Sequence, residues 1–218
     1  MSQSQKKKRL MTVEEYLRFE ERSKFKHEYM DGEVIRLNDS VPRDFQLAGN
    51  RVSHIFIVSN LCFYLRLALR NNAQNCQVGT TEMRVLLREN HYAYPDVFVV
   101  CGEISLVPDI FDTLENPAIL IEVLSKSTEL RDRSDKAHDY RNMASVTDYV
   151  LISQDKMRVE QQIRQADNSW KIVVFEKPED KVFFESLKFE IRVADIYENI
   201  KFPPKPNLQL VETKKKVK

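Results

Sequence analysis

Two stretches near the middle of the chain decide the fold: YPDVFVVCGE at 94–103 and ILIEVLSKST at 119–128. Each holds a near-continuous apolar run rich in β-branched residues, which suits a central strand covered on both faces. Each also carries one carboxylate, Asp96 and Glu122, where an apolar core has no use for one. An unpaired buried carboxylate is costly and neutralises unless it is paired or binds a metal. Pro95 favours an extended residue before it and places Asp96 at a strand start or bulge. If the strands are neighbours, the two acids converge on one side. Converging carboxylates repel unless a cation lies between them. Two acids plus a backbone carbonyl would suit Mg²⁺ or Mn²⁺. The competing reading has Asp96 capping a turn and Glu122 paired with a lysine or arginine at a sheet end.

Working outward, Thr12 and Glu15 form a capping-box signature for a first helix. Asp31-Gly32 is the strongest two-residue hairpin signal, between runs containing His27, Tyr29, Val34 and Ile35. Ile55, Val58, Leu61, Cys62, Leu65 and Leu69 step by three and four, predicting a long helix from about Asn50 to Leu69. A strand is expected near Met83–Leu87. A helical stripe of Leu130, Ala137, Tyr140 and Met143 follows, then a strand at Tyr149–Ile152. The segments MRVEQQIRQ, WKIVVFEK and KVFFES read as an antiparallel meander, and DIYENI as a closing short helix. The order predicts an α/β or α+β domain on a mixed central sheet. It divides into a basic tail at 1–10, a single domain at 11–205 and a basic tail at 206–218.

Composition excludes several function classes. The net charge of +1 gives no global affinity for nucleic acid or membrane, so any such binding needs a local patch. Four glycines, with no GxGxxG or GxxxxGK[ST], disfavour phosphate-cradling nucleotide folds. Cys62, Cys76 and Cys101 contain no CxxC and read as ordinary thiols in a reducing compartment. No secretory signal is visible, and the apolar run at 55–69 reads as too short and amphipathic to span a bilayer. A soluble, cytoplasmic protein is expected. His27, His54, His91 and His138 show no metal-ligand spacing and read as packing or surface residues. Ser125 and Ser127 read as turn or cap hydroxyls, Trp170 as core. Arg84, Arg131 and Arg133 read as exposed, with phosphate contact the alternative.

The order PD at 95–96, EVLSKST at 122–128 and DRSDKAHDYR at 132–141, with HEYMDGEVI at 27–35 and VTDYVLIS at 146–153, resembles the Uma-two family within the PD-(D/E)XK nuclease superfamily. The resemblance covers roughly residues 10–190. It implies a restriction-endonuclease-like α/β core, a mixed sheet flanked by helices, and metal-dependent hydrolysis of DNA phosphodiester bonds. It assigns Asp96 and Glu122 as metal ligands with the Val123 backbone carbonyl. The superfamily lysine should stand at 124, where this chain has Leu124. Lys126 and Lys136 are the substitutes, and Lys136 is preferred because it heads a K-x-x-x-Y spacing with Tyr140. Glu28 matches a recurrent glutamate of the family. The partner implied is DNA. Nucleases of this type often dimerise, and the helix at 50–69 either supplies an interface or packs into the core. The alternative is a catalytically inactive nuclease-fold protein that binds nucleic acid or a protein.

Overall fold

The computed structural model describes residues 10–37, 45–72, 75–110 and 112–202. The two basic tails lie outside these residues, apart from Leu10.

Thr12 caps helix α1 (Val13–Arg22) in a full capping box, its hydroxyl accepting the Glu15 N–H and its own N–H donating to the Glu15 carboxylate. Strands β1 (His27–Met30) and β2 (Glu33–Arg36) pair antiparallel across Asp31 and Gly32. Both turn residues have positive φ, 45° and 94°, as a tight twisted hairpin requires. Helix α2 (Phe45–Asn72) is followed by β3 (Cys76–Thr80), β4 (Arg84–Arg88), β5 (His91–Ala93), β6 (Val97–Cys101), β7 (Thr113–Leu114) and β8 (Ile119–Leu124). Two short helices, α3 (Glu129–Arg133) and α4 (Asp135–Asn142), lead to β9 (Asp148–Ser153), β10 (Val159–Arg164) and β11 (Trp170–Phe175). The hairpin β12 (Lys181–Phe184) and β13 (Phe189–Arg192) and the single turn α5 (Val193–Ile196) complete the described chain.

The central sheet has six strands in the order β11-β10-β9-β8-β6-β3. It is mixed: β8 and β9 run parallel, and the other neighbours run antiparallel. Strand alternation sends Val97, Val99, Ile119, Ile121 and Val123 to one face, under Ile57, Leu61 and Leu65 of α2 and the β12–β13 hairpin. Phe98, Val100, Leu120, Leu124 and Tyr149 point the other way, onto Ala137 and Tyr140 of α4 and onto β4 and β5. Those two strands belong to a second sheet, ordered β2-β1-β5-β4-β7. Helix α4 is therefore held between the two sheets. Gly79 lies opposite Phe98 across β3 and β6. A Cβ at Gly79 would fall 2.1 Å from the Phe98 ring, so only glycine lets that ring cross the strand.

Several expectations are corrected. The meander stops after β11, because β12 pairs with β13 instead. The helical stripe at 130–143 breaks at Ser134 (φ −106°, ψ −94°), which leaves Leu130 82% exposed. Ile55 faces solvent, and Ile57 takes its place in the core. Trp170 is only half-buried on an edge strand, stacked under Arg164. Arg84 is buried and ion-paired with Asp112, not exposed. Cys76 and Cys101 form a disulfide instead of remaining thiols, because the β3–β6 register sets them directly opposite, Cα to Cα 4.0 Å. The Val52–Arg70 stretch of α2 is, by length and composition alone, long and apolar enough to cross a membrane. Even so, its inner face packs on the sheet.

Candidate active site

The site lies where β6 begins and β8 ends. Val97 is the last β6 residue paired to β8, opposite Ile121, so β8 runs on beyond its neighbour. Its other edge stays paired to β9 as far as Leu124. Pro95 has no N–H with which to prolong β6. Asp96 occupies the bend, and its carboxylate accepts the Val123 N–H at 2.8 Å. A side chain thus takes the ladder position that a longer strand would have filled.

Glu122 shares its face with Leu120 and Leu124 and so points at α4. It is 4% exposed. The Lys136 ammonium lies 2.7 Å from Glu122 Oε1, and the Tyr140 hydroxyl donates to the same oxygen at 2.9 Å. Lys136 and Tyr140 stand four apart on α4, hence on one face of the helix. Lys136 also donates to Glu28 at 2.8 Å and lies 3.3 Å from Asp132. Glu28 comes from β1 in the second sheet and meets Arg131 at 3.4 Å. Asp132 sits near the end of α3, which the Tyr149 hydroxyl fixes by donating to the Asp132 carbonyl at 2.8 Å. On the remaining side, His54 of α2 places Nε2 3.1 Å from Asp96 Oδ2.

The electrostatics follow from burial. Glu28, Glu122, Asp132 and Lys136 are all buried. Burial pushes the Glu122 carboxyl well above the usual range; Lys136 opposes this, while Asp132, Asp96 and Glu28 add to it. Burial alone would depress Lys136, but Glu122 and Glu28 outweigh it and keep the ammonium protonated. Asp132 is raised by burial and held back by Lys136 and Thr128. Burial would lower His54, yet its hydrogen bond to Asp96 raises it. The cluster sets four carboxyl groups against Lys136 and Arg131, and their mutual repulsion adds to the upward push of burial on Glu122 and Asp132.

Of the residues expected from sequence, Glu28, Asp96, Glu122, Val123 and Lys136 are brought together. Lys126 is not: it stands exposed on the turn after β8. Arg131 and Asp132 join the cluster without having been singled out for it. So does His54, read from sequence as a packing or surface residue. His27 bonds Glu20, and His91 bonds Asp139, both away from the site. Ser125 bonds Ser127 and Thr128 within a turn. Among the described residues, no three His, Cys, Asp or Glu side chains converge as a metal-ligand cluster. The carboxylate pair is nevertheless chemically suited to a hard divalent cation. The contacts named fall on Asp96 Oδ2 and Glu122 Oε1, one oxygen of each carboxylate.

Known proteins resemble this chain in sequence and in fold. Residues 13–194 match the family model Uma2, described as "Putative restriction endonuclease". An uncharacterized Synechocystis protein, slr1290, is 28% identical over 193 residues, covering 88% of this chain and 94% of its own. A second from the same organism, sll1609, is 29% identical over 163 residues, covering 74% and 85%. The crystal structure of an Anabaena variabilis protein, titled a putative nuclease belonging to DUF820, superposes with a TM-score of 0.65. That similarity covers 86% of this chain and 97% of the other at 18% identity, and it establishes a shared fold. The family match spans residues 13–194, the range within which every residue of the acid–lysine cluster lies; this chain belongs to the Uma2 family.

Proposed function

We propose that the protein is a metal-dependent endonuclease that hydrolyses phosphodiester bonds of DNA, with Mg²⁺ or Mn²⁺ held by Asp96, Glu122 and the Val123 carbonyl. The observation that carries this reading is Lys136, buried 2.7 Å from Glu122 and 2.8 Å from Glu28, beside an Asp96 fixed to the next residue of the same strand. A strand residue sends its N–H and C=O toward the same neighbour. Val123 sends its N–H to Asp96, so its carbonyl leaves by the edge that β6 does not cover. Two carboxylates and one carbonyl, all oxygen, make an apt donor set.

A divalent ion bound there would lower the pKa of its water and stabilise charge on a phosphoryl oxygen. The remaining tasks fall to the protein's own groups. Tyr140 and Lys136 fix Glu122 Oε1. The surrounding carboxylates favour the charged form of Lys136, which would set a positive charge beside a phosphate oxygen or orient a water. Glu28 and Asp132 orient that ammonium. His54 and the Val123 N–H hold Asp96. Leu124, where the superfamily has lysine, had favoured an inactive binding module. Lys136 reaching Glu122 from α4 supports the hydrolase reading by supplying an amine at the site, while the near-zero net charge still favours the module.

Nicking of supercoiled plasmid with Mg²⁺ or Mn²⁺ tests the proposal. The wild type should nick, and EDTA, Asp96→Asn and Glu122→Gln should each reduce nicking by more than a hundredfold, because such groups act as a unit. Equal nicking by wild type and both variants would overturn it.

A further inference from the structure

Phosphate contact stood as an alternative for Arg84, Arg131 and Arg133, and the fold separates the three. Arg84 is 2% exposed and ion-paired with Asp112. Arg133 is held by two acids, Glu129 at 2.9 Å and Glu160 at 3.0 Å. Arg158, which enters β10 at the same end of the sheet, is likewise held between Glu160 and Glu176. Arg131 differs. Among the described residues its one ion-pair partner is Glu28, through Nη1 alone at 3.4 Å, and its side chain is 28% exposed. Most of its fork of donors is therefore unused.

The buried amine has little left to offer a ligand directly. An ammonium carries three protons. Three carboxylate oxygens already surround Lys136 Nζ, from Glu122 at 2.7 Å, Glu28 at 2.8 Å and Asp132 at 3.3 Å. Lys136 thus lends charge to the corner while its N–H groups stay engaged. Arg131 meets the other oxygen of Glu28, so it stands at the edge of the same cluster. We propose that Arg131 is the group that grips the DNA backbone there, exchanging its long contact with Glu28 for a forked contact with one phosphodiester. The place of the substrate rests on the nuclease reading; the contact itself needs no step of hydrolysis. A guanidinium matches two phosphate oxygens at once, and such bonds are shorter and stronger than the contact at 3.4 Å that they replace. Glu28 keeps Lys136 when Arg131 leaves, so the exchange strands no buried charge. It also sets a cation at the edge of an acid cluster that would otherwise repel the backbone.

Fluorescence anisotropy of a labelled DNA duplex, titrated with the full chain in Ca²⁺ at about 50 to 200 mM salt, tests this. Arg131→Gln should bind roughly 10–100-fold more weakly. Its plot of log Kd against log salt should lose about 0.9 of its slope, the share of one phosphate. Arg131→Lys keeps the charge without the fork, so it should keep the slope and recover only part of the affinity. Arg133→Gln, which removes a guanidinium already held by two acids, should match the wild type in both. A purely structural role would lower the melting temperature and leave the slope alone; the melting curve of Arg131→Gln should instead match the wild type. A wild-type slope in Arg131→Gln overturns the inference, even if plasmid nicking continues. An equal loss of slope in Arg133→Gln also overturns it, because the attraction would then be diffuse. A wild type that binds through Arg131 yet never nicks with Mg²⁺ or Mn²⁺ upholds the contact and defeats the hydrolase. A wild type with no affinity for DNA defeats both.

Discussion

At the scale of single residues, the decisive feature is one ammonium shared among Glu28, Glu122 and Asp132 in a buried place. Removing one partner of a buried ion cluster strands the others and costs about 3–5 kcal/mol. Lys136→Met should lower stability by that amount in urea unfolding; a loss under 1 kcal/mol would show that the acids neutralise without it. The two strand acids were legible in the sequence because a carboxylate amid Ile, Leu and Val is anomalous on its face. Lys136 and Glu28 needed the family pattern, since a lysine on a polar helix and a glutamate in a short hairpin are ordinary. His54 and Asp132 carried no signal that separates them from surface residues. Only folding brings α2 and the α3–α4 turn to the same sheet end.

At the scale of elements, the first hairpin and the strands β4, β6 and β8 to β12 followed from local pattern, whereas the short β3, β5, β7 and β13 did not, and the pairing errors arose between distant segments. Nothing in KVFFES says that its partner is the segment after it and not β11. Likewise, no spacing rule joins Cys76 to Cys101; the β3–β6 register alone makes them partners. Thiol titration of the denatured, unreduced protein should therefore find one thiol per chain, Cys62. Three would restore the reading of ordinary thiols. The bond closes a loop of 25 residues, so Cys76→Ser should cost about 3.5 kcal/mol on a chain-entropy estimate. The same pair of strands carries the Gly79–Phe98 contact. Gly79→Ala forces the buried ring to move and should destabilise by about 1–3 kcal/mol, read as a lower melting temperature. An unchanged value would mean that the ring has room to turn.

At the scale of the whole molecule, the site is assembled from both sheets and from the helices between them: Glu28 from one sheet, Asp96 and Glu122 from the other, Lys136 from α4 and His54 from α2. A ligand that binds only the assembled site stabilises the entire fold. Mg²⁺ at a hundred times its dissociation constant should add about 2.7 kcal/mol, which for a domain of this size raises the melting temperature by about 5–10 °C. Asp96→Asn should abolish the shift. A shift that survives in the variant would place the ion elsewhere.

The short reach of β6 has a wider consequence. A sheet normally saturates its backbone groups strand against strand, which leaves nothing over for chemistry. Here an imino acid halts one strand early, and the neighbouring Val123 N–H is claimed by the Asp96 side chain in place of a ladder partner. The candidate site is thus a corner where a carboxylate stands in for a strand, and its shape is inherited from the pleat. Such a corner holds its form as firmly as the fold does.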